Sequence, residues 1–275
     1  MHSIRNFFCG QWSSSVRLDD KTAIITGANT GIGKETARDL ARRGARVVMA
    51  CRDLDKAEAA RQELMEDSGN RNVEKSVSLL INNAGIMMCP YSKTADGFEM
   101  QFGVNHLGHF LLTYLLLDLL KSSAPSRIIN VASVAHTWGS INLEDIHSEK
   151  SYSPRRAYGQ SKLANILCAR SMAKRLQGTG VNVYSLHPGV VQSELFRNLS
   201  KPVQVAVKIF SPFTKSTSQG AQTTIFCALE PTLDTESGGY YSDCGPAQCS
   251  REASDDEKAE KLWELSCHML GITWD

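Results

Sequence analysis

The stretch "TAIITGANTGIGKETARDLARRGARVVMACRD", residues 22–53, decides the fold. An apolar run of strand length, Thr22 to Thr26, enters a turn with glycines at 27, 31 and 33; a helix-period segment follows, and a second strand covers Arg46 to Ala50. The GxxxGxG spacing differs from the GxGxxG dinucleotide fingerprint but supplies the same physics. No Cβ obstructs the turn, so the backbone of Gly27, Asn29, Thr30, Gly31, Ile32 and Gly33 can approach a pyrophosphate at a helix N-terminus. The second strand ends Ala50-Cys51-Arg52-Asp53. A small residue followed by Arg accommodates and pairs a ribose 2′-phosphate, so Arg52 points to NADP(H). Asp53 lies 20 positions after Gly33 and keeps a less favoured NAD reading open; either residue could simply begin the next helix.

Outward from this unit, apolar runs at Leu79 to Asn82, Arg127 to Val131 and Asn182 to Leu186 alternate with helix-period segments. The alternation predicts an α/β, doubly wound parallel sheet in a single domain. The expected layout is an N-terminal extension over 1–17 and one domain over 18–275. A Phe- and Val-rich insertion at 194–219 breaks the pattern, and "DDEKAEKLWELSCHML" reads as a closing amphipathic helix. The 275 residues carry 42% apolar side chains, enough for a sizeable core. Lys and Arg number 30 against 29 Asp and Glu, which leaves no basic excess for nucleic acid. Eight cysteines show no CxxC or zinc-type spacing, which points to free thiols and no metal site. The longest apolar run, Leu107 to Leu120, is too short to span a bilayer and reads as a buried helix.

Four further positions carry chemistry. "YGQSK" places Tyr158 and Lys162 at i and i+4 on one helix face, where a nearby ammonium stabilises phenolate. Ser133 follows the strand "RIINVAS", hence lies at the carboxyl end of the sheet where open α/β folds bind ligands. Asn105, in "GVNHLGHF", opens the long buried helix and on the residues alone is an N-terminal cap.

"TGANTGIG", "NNAG", "VNHLGHF", Ser133, "YGQSK" and "HPG" occur in the order found in short-chain dehydrogenases/reductases, a family the chain resembles from Leu18 onward. "GIMMCPYSKTADGFEMQFGVNHLGHFLL", "SKLANIL", "HPGVVQSEL" and "QGAQT" are similar to its retinol dehydrogenase 11/12 group. The resemblance implies that Ser133 hydrogen-bonds a substrate carbonyl, Tyr158 donates or accepts the proton, Lys162 lowers the Tyr pKa and binds the nicotinamide ribose, and Asn105 orders a relay water. It further implies that Asn83, Ala84 and Gly85 line the adenosine side, that Pro188, Gly189, Val191 and Ser193 embrace the nicotinamide, and that the insertion at 194–219 forms a substrate lid. The expected activity is NADP(H)-dependent interconversion of retinal and retinol or similar lipophilic aldehydes and alcohols, with steroids or lipid aldehydes as the alternative substrates. A dimer through the Leu107 to Leu120 and Tyr158 helices would be ordinary for the family. The endoplasmic reticulum membrane surface, by peripheral contact, and the cytoplasm are the two expected locations.

One departure stands out. The family places a further strand and helix before "LINNAG", yet only nine positions, 70 to 78, are available here, fewer than a βαβ crossover needs. The expectation is a sheet lacking one edge strand and one helix, with a left-handed crossover, a sense seen in about 2% of such connections. An exposed edge, reduced stability and weakened nucleotide binding would follow, and a non-catalytic, destabilised variant is the rival reading.

Overall fold

The computed structural model describes residues 10, 12–68, 76–191, 195–196 and 214–274, with the side chains of 65–68 left aside. Seven strands form one sheet: β1 (Thr22–Thr26), β2 (Arg46–Ala50), β3 (Leu79–Asn82), β4 (Ser126–Val131), β5 (Val181–His187), β6 (Tyr240–Ser242) and β7 (Gly245–Pro246). Their spatial order is β2-β1-β3-β4-β5-β6-β7, parallel throughout except for the β6–β7 pair. Among the described residues six longer helices accompany them: α1 (Gly31–Arg42), α2 (Leu54–Ser68), α3 (Gly108–Ser122), α4 (Pro154–Arg175), α5 (Thr217–Leu229) and α6 (Asp256–Leu270).

Strand alternation divides the core between two faces. Ala23, Ile25, Ile81, Ile129 and Tyr184 pack against Ala37 and Leu40 of α1 and Ile225 and Phe226 of α5. Leu80, Ile128 and Val183 face the other way, onto Phe110 and Leu117 of α3, Met172 of α4 and Trp263 of α6. Every residue of β3 and β4 is buried, as strands covered on both faces require. Trp12 also belongs to the packed body: it stacks edge-on against Phe226 at 5.8 Å and donates to Glu230 at 2.7 Å.

Leu64 of α2 joins the α1 and α5 side of the core. The described part of the route from β2 to β3 therefore runs along the face already used from β1 to β2, and β3 lies beyond β1. That is the left-handed sense expected from the short link. β2 forms one edge of the sheet, with all five of its residues half-buried.

Candidate active site

The Gly-rich turn is shaped by hard contacts. Gly27 and Gly31 hold φ of +64° and +58°, conformations that favour glycine. A Cβ at Gly33 would meet the Gly27 carbonyl oxygen at 2.4 Å. Thr30 precedes α1 without a side-chain capping bond, and the first turn of that helix holds no acidic residue. Its N–H groups are thus available to an anion. Asn83 ties the turn to the sheet: its Nδ2 donates to the Thr26 carbonyl at 2.8 Å. The Thr26 hydroxyl accepts the N–H of Asn83 and of Ala84, both at 2.9 Å, and meets His109 Nε2 at 2.8 Å. With both acceptor positions used, the Thr26 proton goes to His109, whose Nδ1–H donates to the Asn105 carbonyl at 3.1 Å. Burial holds His109 neutral, with a pKa lowered to about 4.

Asn105 is not the cap the sequence suggested. It lies inside a π-helical turn, Gly103–Leu107, preceded by the short helix Met100–Phe102, whose cap is Glu99. Its side chain exchanges two 2.9 Å hydrogen bonds with the backbone of Ile86 and donates to Ser161 Oγ at 2.9 Å. π-turns recur at functional sites because they re-aim a side chain within a helix.

Ser133 caps a 3-10 turn, Val134–Trp138, directly after β4. His136 secures it: Nε2 accepts the Ser250 N–H at 3.0 Å, leaving Nδ1–H to donate to the Ser133 carbonyl at 2.7 Å. The Ser133 hydroxyl faces the Tyr158 phenol. Tyr158 and Lys162, both 3% exposed, sit on α4. Lys162 Nζ donates to the Val131 carbonyl at 2.9 Å and lies 5.8 Å from the Tyr158 ring centroid. A Cβ added at Gly85 would be 3.4 Å from Asn105 Oδ1 and 3.6 Å from Lys162 Nζ, so the "NNAG" turn, the π-turn and α4 meet at one point.

Burial sets the electrostatics here. It pushes the Tyr158 phenol up to about 12, partly offset by the Ser133 hydrogen bond, and the Lys162 ammonium down to about 8. The expected lowering of the Tyr158 pKa by Lys162 is absent in this arrangement, because the ammonium is aimed at the Val131 carbonyl rather than the phenol oxygen.

Around Tyr158 the wall is apolar. Met87 and Ala135 are buried with it, and Met88, Leu195 and Phe196 pack against the group. Sequence reading had assigned no role to Met87 and had not singled out Met88, since both look like ordinary core residues. Gly189 holds φ of +94°, and a Cβ there would strike Lys215 Cδ at 2.6 Å, so the turn after β5 lies under that side chain. Val191, bridged to Lys215, is buried. Ser193 and most of the 194–219 insertion lie outside the described residues.

Arg52 is exposed beyond the end of β2, close in sequence to the Ala50 carbonyl that accepts the Gly27 N–H at 2.9 Å. Asp53 is otherwise engaged: it accepts the Lys56 N–H at 3.1 Å, in the manner of a helix cap, and pairs with Lys56 Nζ at 3.4 Å. This engagement weakens the NAD reading through Asp53.

A profile of the short chain dehydrogenase family matches residues 21–76 and 70–204, two segments that meet at the short link. Retinol dehydrogenase 12 of Mus musculus is 53% identical across 99% of this chain and 94% of that protein. Its alignment spans 297 positions against the 275 residues present here, so at least 22 positions, 297 less 275, face no residue of this chain. Retinol dehydrogenase 11 of Homo sapiens is 50% identical across 97% of this chain and 91% of that protein. Among solved structures, an uncharacterized protein from Mycobacterium paratuberculosis superposes with a TM-score of 0.76 at 35% identity, covering 94% of this chain and 96% of that one.

Proposed function

The chain belongs to the short-chain dehydrogenase family, a family of oxidoreductases, and on that premise we propose that it is an NADP(H)-dependent enzyme interconverting retinal and retinol or similar lipophilic aldehydes and alcohols. The observation that carries the reading is the meeting of Ser133, Tyr158 and Lys162 against an apolar wall of Met87, Ala135, Leu195 and Phe196. The turn at Gly27 to Gly33, with its uncapped α1 N-terminus, fits a pyrophosphate. Arg52 supplies the cation for a 2′-phosphate, while Asn83, Ala84 and Gly85 border the adenosine side and Pro188, Gly189, Val191 and Ser193 the nicotinamide side.

The bound nicotinamide supplies the hydride chemistry. The protein positions and polarises. Ser133 holds the substrate carbonyl oxygen by hydrogen bonding. Tyr158 delivers or removes the proton at that oxygen, and its phenol must come down from about 12 for this exchange to run near neutrality. A charged Lys162 turned from Val131 toward the phenol and the ribose provides that lowering. Asn105, fixed to Ile86 and Ser161, sets the far end of the proton path. Leu195 and Phe196, two of the described residues of the 194–219 insertion, would help to exclude water as part of a lid.

The β2 edge, which pairs with no further strand among the described residues, favours a second reading, in which the nucleotide is not held and the chain is inactive. Titration of the purified protein with NADPH and with NADH, followed by nicotinamide fluorescence, separates the two. Saturable binding with an NADPH preference, then reduction of all-trans-retinal, supports the enzyme. No saturable binding by a folded sample supports the inactive form. Self-association through α3 is part of the proposal, motivated by Leu115, which is 69% exposed on that helix. No helix of the described residues is long and apolar enough to cross a membrane. Attachment at the endoplasmic reticulum surface would thus be peripheral as far as these residues go, with the cytoplasm as the other proposed location.

A further inference from the structure

Met88 is a non-glycine residue with φ of +52°. A long side chain in that region is strained, and such residues persist only where their surroundings over-determine them. The surroundings here are specific. The Met88 N–H donates at 2.7 Å to Oε1 of Gln101, a fully buried residue. Gln101 spends its amide protons on the Tyr152 hydroxyl at 2.9 Å and the Pro154 carbonyl at 3.0 Å. Tyr152 in turn donates to the carbonyl of Cys89 at 2.8 Å. Glu99, buried and accepting the N–H groups of Gln101 and Phe102 at 2.9 and 2.7 Å, fixes the backbone from which Gln101 reaches out. The Met87 to Cys89 bend is thereby clamped on both sides of Met88 and tied to Pro154, the first residue of the helix that carries Tyr158.

The product of the clamp is a thioether side chain held against the Tyr158, Met87 and Ala135 group. Glycine would satisfy the backbone without strain; what the methionine adds is a side chain packed against Tyr158, Met87 and Ala135. Met is flexible and polarizable, suited to packing along an irregular apolar ligand. We propose that Met88 is the specificity-determining residue of the cleft, strained into place by Gln101 and Tyr152 so that its side chain selects long apolar substrates at Tyr158. The inference rests on the lipophilic-aldehyde reading above and sharpens it: a substrate long enough to run past Tyr158 feels Met88, and a short one does not.

The test compares all-trans-retinal with hexanal in the full-length protein with NADPH. Met88→Gly accepts the backbone conformation and is expected to fold with a melting temperature within a few degrees of wild type. It should lower kcat/KM for retinal about tenfold, through KM rather than kcat, and change hexanal by less than about twofold. Quenching of tryptophan fluorescence by retinol, with Trp138 centred 6.5 Å from Tyr158, should weaken in parallel without any turnover being needed. Met88→Asn, which also tolerates the left-handed region, should reproduce the retinal defect. Gln101→Leu should give the same change of preference with a lower melting temperature, and combining it with Met88→Gly should add no further loss of preference. An unchanged retinal-to-hexanal ratio in folded Met88→Gly overturns the inference. Turnover of neither aldehyde by the wild type fails the functional reading instead.

Discussion

All five residues of β2 are half-buried, and in the part of α2 before residue 65 only Ala60 and Leu64 are buried. On the far side of β1, every residue of β3 and β4 is buried, and α4 is buried without interruption from Ala157 to Ala169. The thin region offers one cation, Arg52, to the proposed nucleotide; the dense region holds Ser133, Tyr158 and Lys162. The thin packing falls where recognition is modular, whereas the elements whose relative positions must hold to within fractions of an ångström are densely packed. Damage at the edge should therefore read out in binding, and damage at the centre in turnover.

The largest expected effect tests the centre. Tyr158→Phe keeps the ring and its packing but removes the proton-carrying hydroxyl. It should reduce kcat by about a thousandfold with NADPH affinity and melting temperature unchanged. An equal loss of nucleotide affinity would break the division between the two regions.

Lys162 comes next, and its sign can be worked out. Its pKa in the folded chain is about 8, against 10.5 as the ordinary value. Below pH 8 the fold bears the full cost of a buried ammonium. Between pH 8 and 10.5 the native state releases the proton before the unfolded state does, so this cost is relieved as pH rises. Lys162→Met should therefore be the more stable protein at pH 7, by on the order of 3 kcal/mol at 1.36 kcal/mol per pH unit, with turnover lost. Its advantage over wild type should shrink from pH 8 upward. Denaturant titration at several pH values measures this, and a pH-independent difference would contradict the burial of the charge.

At the edge, Arg52→Ala should weaken NADPH about tenfold and leave NADH unchanged, as expected for one lost charge-assisted contact to a 2′-phosphate. The smallest effect belongs to Asp53→Ala. With its capping role gone, the melting temperature should fall slightly while the NADPH-to-NADH ratio stays fixed. A change in that ratio would return Asp53 to the nucleotide site.

The strands were legible because a buried parallel strand is a short apolar run between breakers. Leu79 to Asn82 matches residue for residue, and β4 and β5 each extend the expected span by one or two residues. The left-handed crossover was expected from the short link taken together with the strand order of the family the chain resembles, since nine residues cannot carry a further strand and helix. Helical spacing put Tyr158 and Lys162 on one face and the strand end put Ser133 at the carboxyl end of the sheet, while their acting together was an expectation of the family resemblance. The π-turn at Asn105 was not legible, because one extra residue in a helical turn leaves no compositional trace and depends on the Ile86 backbone, 19 positions away. Met88 escaped notice for a related reason: nothing in "GIMMCP" reveals that Gln101 and Tyr152 will hold its backbone left-handed. Spacing gave the proximity of Lys162 to Tyr158 but not where the ammonium points, which here is the Val131 carbonyl.

The geometry of β2 has a practical side in the test tube. Arg46 and Ala50 turn their backbone groups toward β1, so Val47 and Met49 turn theirs outward from the edge, and among the described residues these meet no partner. Strands of this kind template one another. Shelf life of the purified protein will thus be a matter of crowding more than of heat: dilute stocks will keep and concentrated ones will turn cloudy.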